Sequence, residues 1–212
     1  MIRESLASDL TRLAESLGRI AEGVTATHGA LLRHQLAARS PSEAEYAPAL
    51  FCLRLAEAIS GKRDAGLAGA ESLALLAEMG RVLQGLEDGR ASSPAQAWGM
   101  PRALNAGDAF FGLAQECLAS GTEGLPPRRR LLALASLDAG ARAFSEALGA
   151  GARLEDAVRA LFPAGAVLAA VLAGANEEQT RRLTAYAEAL SRAPERPLQE
   201  VLSGATAAVQ AA

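Results

Sequence analysis

The chain has 212 residues, of which 50% are hydrophobic and 21% are charged, a balance that excludes intrinsic disorder. Ala, Leu, Arg and Glu are abundant and β-branched residues are scarce, which disfavours a large β-sheet and predicts an all-α fold. Because the net charge is −3, the chain lacks the basic surface that a phosphate backbone requires, and we predict no nucleic-acid partner.

Four helices are predicted in the first half of the chain. Apolar residues recur at three- and four-residue spacing from Leu6 to Ile20, which places them on one face of a helix. Three further helices are predicted at about residues 25–38, 46–59 and 66–88. Segments rich in Gly, Ser and Pro separate them, and the clearest of these is the loop at 89–94.

Five helices are predicted in the second half. They cover about residues 97–120, 128–148, 154–172, 177–192 and 198–209. No connection is long enough to separate two domains, so we predict a single domain over residues 1–212. The longest uncharged stretch, 160–176, contains Pro163 and is shorter than a membrane span requires. We therefore expect a buried core helix there and no membrane span.

The cysteines and the first residues bear on the cellular compartment. Cys52 and Cys117 are the only cysteines, and with two histidines they complete neither a disulfide framework nor a zinc site. The N-terminal residues enter an amphipathic pattern directly, without the apolar region of a signal peptide. We therefore expect a reduced, cytoplasmic protein.

Three stretches carry a resemblance to a known family. Residues 98–108 read W-G-M-P-R-A-L-N-A-G-D, residues 82–89 read V-L-Q-G-L-E-D-G, and residues 172–179 read L-A-G-A-N-E-E-Q. They resemble the W-G-x-P-x-A-I-N-A-G-D, I-H-D-D-I-E-D-G and L-A-G-A-D-E-E-Q stretches of the trans-isoprenyl diphosphate synthases, also called polyprenyl synthetases, and they follow the same order. The resemblance implies a truncated isoprenoid synthase-type bundle around a central cavity, assembled as a dimer.

The family's metal chemistry needs residues that this sequence lacks. Its members ionise an allylic diphosphate on Mg²⁺ ions that two aspartate-rich motifs hold. The chain has aspartates at positions 9, 64, 88, 108, 138 and 156, and no two are adjacent. Gln84 and Gly85 occupy the leading positions of the first motif, Asp88 alone matches it, and Gln199-Glu200 overlays the second. We therefore predict no metal site and no cofactor.

The basic residues that would bind the diphosphate are missing as well. The family's G-K-R-x-R-P loop falls by its spacing on residues 43–48, which read E-A-E-Y-A-P and match only at Pro48. Lys62 is the only lysine in the chain, and Gly61-Lys62-Arg63 lies too close to residue 84 to serve as that loop. Without these charges the electrostatic stabilisation that carries the reaction is lost. We therefore predict no catalytic residue.

If a cavity survives, we expect it to be lined by Met79, Leu83, Gln84, Asp88, Asp108 and Phe111. Bulky residues just before the first motif limit product length in the family, which is the role implied for Met79 and Leu83. Asp108, Gly112 and Glu116 also mimic the spacing of the second metal motif of terpene cyclases. Glycine supplies no ligand, and two carboxylates eight residues apart are more often a solvated helix face.

Three functions remain open from the sequence. The leading hypothesis is a pseudoenzyme, a non-catalytic partner or regulatory subunit of an active isoprenyl diphosphate synthase, present as a homodimer or a heteromer. The second is a carrier that binds an isoprenoid or another apolar molecule in the former elongation cavity. The third is a divergent isoprenoid enzyme that uses Asp88, Asp108 and Glu116. An exposed apolar patch would indicate the partner, an enclosed pocket the carrier, and converging polar groups near residue 88 the enzyme.

Overall fold

The computed structural model describes residues 2–24, 26–38, 42–88, 96, 98–193 and 198–210. All regular structure in these ranges is helical, which confirms the predicted all-α class. The α-helices are α1 (Ile2–Gly23), α2 (Ala26–Ala38), α3 (Ala47–Ser60), α4 (Leu67–Asp88), α5 (Met100–Gly121), α6 (Pro127–Gly149), α7 (Leu154–Ala157), α8 (Phe162–Ala173), α9 (Glu177–Arg192) and α10 (Leu198–Gln210). With the continuous stretch from α7 to α8 taken as one, the described chain forms the nine predicted helices.

The predicted helix at 154–172 is interrupted in the structure. A 3₁₀ turn at Val158–Leu161 separates α7 from α8, and Pro163 lies in the first turn of α8. Proline has no N–H, and its ring crowds the carbonyl group four residues earlier. A regular α-helix therefore cannot pass through this point without a break.

The predicted helix at 97–120 also begins later than the sequence indicates. Helix α5 starts at Met100, directly after Gly99, whose φ is +85°. Glycine adopts this left-handed conformation without the steric cost that a Cβ would add. Pro101 then lies in the first turn, where its missing N–H costs nothing.

Helix α4 lies at the centre of the bundle. It packs along α5 and also contacts α1, α3, α6 and α8, and every residue from 72 to 80 is buried. Gly80 leaves no space for a Cβ because the ring of Phe144 on α6 and the side chain of Leu154 on α7 lie against it. One hydrophobic cluster continues from Leu6 in α1 to Ala205 in α10.

Helix α1 joins the bundle through a polar seam. Asp9 is buried and pairs with Arg54 of α3 at 2.5 Å and with Arg63 at 3.4 Å. Ser16, two turns further on, donates a hydrogen bond to Glu71 of α4. Burial raises the pKa of Glu71, and the hydrogen bond from Ser16 opposes the rise. The ionised form of Glu71 is therefore less favourable in the folded chain than in water.

Candidate functional site

The end of α4 does not offer the ligands of a magnesium site. Gln84 is half-buried, and Gly85 is buried and has no side chain. Asp88 is the last residue of α4, and its side chain lies outside the described part of the structure. Because Mg²⁺ takes oxygen ligands, usually from carboxylates, the first two positions do not fit this ion.

The residues that overlay the family's second aspartate-rich motif do not form a set of metal ligands either. Gln199 and Glu200 lie in the first turn of α10, which packs on α3 and α9, and Glu200 is exposed. In the described ranges, no group of three or more His, Cys, Asp and Glu side chains is arranged to hold a metal ion. These residues therefore support no reaction step through a metal.

A buried polar cluster lies where the resemblance places the phosphate-binding loop. It consists of Glu45 and Tyr46 before α3 and of Glu78 and Arg81 on α4, and is called here the Arg81 cluster. Arg81 Nη2 lies 2.7 Å from Glu45 Oε2, Arg81 Nη1 lies 2.9 Å from Glu78 Oε1, and the Tyr46 hydroxyl donates to Glu78. The two carboxylates and the phenol are at most 3% exposed. The four side chains therefore bind one another away from solvent.

Burial and neighbouring charges favour the protonated forms of Tyr46 and Arg81 in this cluster. Burial, together with the charge of Glu78, raises the pKa of Tyr46 well above its ordinary value, so its hydroxyl keeps the proton that it donates. Burial disfavours the charge of Arg81, but Glu78 and Glu45 outweigh this effect and raise the pKa of the guanidinium. One cation thus serves two carboxylates. Arg81 Nε is buried and has no hydrogen-bond partner in the described chain.

The Arg81 cluster is not among the sequence-based predictions. Glu45 and Tyr46 fall within the stretch 43–48 discussed above, but no role is predicted for Glu78 or Arg81. The available signal was a single glutamate within an apolar helix segment, because a buried carboxylate requires a partner. Arg81, three residues further along the same helix, was the nearest candidate.

The structure brings two of the residues predicted to line a cavity close together. Met79 and Leu83 of α4 come together at Gly107 of α5, where a Cβ would lie 4.0 Å from Met79 Cγ and 3.7 Å from Leu83 Cδ2. Asp108, the next residue, is exposed, and Phe111 is half-buried. Gly107 faces α4, so Asp108 projects from the outer part of α5. The lining of a cavity by these residues stays a prediction.

Helices α5 and α6 expose large apolar side chains near their N-terminal ends. Within the described ranges, all the large hydrophobic side chains that are exposed lie on these two helices, namely Met100, Leu104, Leu131 and Leu132, with exposures of 51%, 46%, 68% and 45%. Scattered exposed leucines are normal in proteins, but two such side chains within the first two turns of each helix make these helix ends candidate contact surfaces.

One helical stretch, Leu154–Ala173, is long and apolar enough to cross a membrane by length and composition. Within the fold, 61% of its apolar window is buried. A core helix of a bundle has the same character, so this stretch is weak evidence for a membrane span.

No protein-family model matches the chain, and no curated protein matches it in sequence. Solved structures do match. A geranylgeranyl pyrophosphate synthetase from the archaeon Geoglobus acetivorans aligns with a TM-score of 0.70 and 19% identity, over 88% of this chain and 65% of that one. A polyprenyl synthetase from Streptomyces coelicolor aligns with a TM-score of 0.68 and 20% identity, over 86% and 61%. The chain thus spans less than two thirds of these two proteins.

Two smaller structures are covered almost completely. The geranyl diphosphate synthase small subunit from Antirrhinum majus aligns with a TM-score of 0.67 and 16% identity, over 95% of this chain and 91% of that one. A chain of a deletion mutant of the heterotetrameric geranyl pyrophosphate synthase from mint aligns with a TM-score of 0.60 and 18% identity, over 94% and 99%. At these identities the likenesses show the fold.

Proposed function

We propose that this chain, which has the trans-isoprenyl diphosphate synthase fold, is a non-catalytic subunit that binds and regulates an active isoprenyl diphosphate synthase in the cytoplasm. The observation that carries this proposal is the Arg81 cluster. A diphosphate needs free positive charge, whereas here Glu45 and Glu78 already hold the guanidinium.

Freeing Arg81 for a ligand is costly. Its removal from the cluster would break its ion pairs with two buried carboxylates, and breaking a buried ion pair costs about 3–5 kcal/mol. A diphosphate would also meet the negative charges of Glu45 and Glu78, which repel it. The cluster therefore stabilises the junction of α3 and α4 and does not receive an anion.

The metal positions support the same proposal. Gln84 and Gly85 replace the leading carboxylates of the first motif, and Glu200 is exposed on a helix that packs on α3 and α9. Ionisation of an allylic diphosphate depends on charge stabilisation of the leaving group. A fold that has lost both positions retains its surfaces but not that chemistry.

The likeness to the small subunit from Antirrhinum majus and to a chain of the mint heterotetramer supports the partner role. The carrier hypothesis has less support, because Phe144 and Leu154 fill the space beside Gly80 on α4. The hypothesis of a divergent enzyme has the least support, because Asp108 and Glu116 are exposed on the outer part of α5.

The test is native mass spectrometry of the tagged chain purified from its own host, under mild and then denaturing conditions. We expect a complex with a second, larger chain whose peptides identify an isoprenyl diphosphate synthase. That synthase is then assayed with and without this chain, and we expect a change in its rate or in the length of its product. An unchanged rate and product would contradict the proposal. Recovery of the chain with a bound apolar molecule and no synthase would favour the carrier instead.

A further inference from the structure

We draw no further inference here: the strongest candidate, the exposed surface patch that Leu131 and Leu132 form at the N-terminal end of α6, carries none because nothing in the structure shows what covers it.

Discussion

The Arg81 cluster and the exposed side of helices α5 and α6 depart from the usual distribution of side chains in opposite ways. The cluster buries two carboxylates against a half-buried arginine, whereas α5 and α6 expose four large apolar side chains. Buried charged groups are rare in proteins unless they are paired, and clustered exposed apolar side chains often mark a contact surface. Inside, the two carboxylates bind the phenol and the two terminal nitrogens of the guanidinium. Outside, the apolar groups gain stability only when another protein covers them.

Helix α9 shows the ordinary arrangement and serves as a reference. Glu178 lies 2.5 Å from Arg181 and 2.6 Å from Arg182, and all three side chains are exposed. Hydrogen bonds from Arg181 and Arg182 lower the pKa of Glu178. Pairs of this kind contribute little to stability because solvent screens them.

The largest expected effect tests whether Arg81 holds the two buried carboxylates of the Arg81 cluster. Arg81→Met breaks the ion pairs with Glu45 and Glu78, and we expect a loss of about 3–5 kcal/mol in the free energy of unfolding. Denaturant unfolding measures it. The control Arg181→Met on α9 should leave the free energy of unfolding nearly unchanged, because solvent screens the exposed ion pair of Arg181. Equal effects of the two substitutions would show that the cluster is no more than a surface ion pair.

A similar loss of stability is expected when a buried aromatic side chain of α5 is truncated. Phe110 on α5 is fully buried, and its neighbour Phe111 is half-buried. Phe110→Ala should cost about 3–5 kcal/mol because it leaves a cavity beside α4. Phe111→Ala should cost less than half as much, because less of its surface is removed from water. The opposite order in denaturant unfolding would mean that α5 is rotated about its axis.

A smaller effect concerns Glu71, a half-buried carboxylate that accepts a hydrogen bond from a hydroxyl group. Burial raises the pKa of Glu71 above its ordinary value of 4.5, so the folded state binds more protons there than the unfolded state. Its contribution to stability therefore falls as the pH rises from 4.5 through the raised value, and the loss is complete above it.

Glu71→Gln retains an acceptor for Ser16 and removes this titration. We expect the variant to lose less stability than the wild type as the pH rises, and to have the higher Tm near neutral pH. Thermal unfolding at a series of pH values measures both. Glu178→Gln on the exposed side of α9 is the control. Parallel Tm curves for wild type and Glu71→Gln would contradict the account of Glu71.

The fold was predictable from the sequence because its signals are local. The spacing of leucines from Leu6 onward defines a helix face, and the motif at 98–108 marks the entry to α5. Even the errors have local causes, since Pro163 breaks one predicted helix and Gly99 delays another.

The candidate site was only partly predictable because its contacts are distant in sequence. Glu45 and Arg81 are separated by 36 residues, and no periodic pattern links them. The adjacent Leu131 and Leu132 fit a helix that is apolar on its inner side, yet both are exposed. Which side of a helix meets the core is decided by its neighbours, and that requires the packed structure.

The most direct test of the central claim is turnover by the purified chain alone, with labelled prenyl diphosphates and Mg²⁺. Because the guanidinium of the Arg81 cluster is already paired and Gln84 and Gly85 replace the leading metal ligands, we predict no product above the protein-free blank. Formation of a prenylated product in proportion to the amount of this chain would contradict the account.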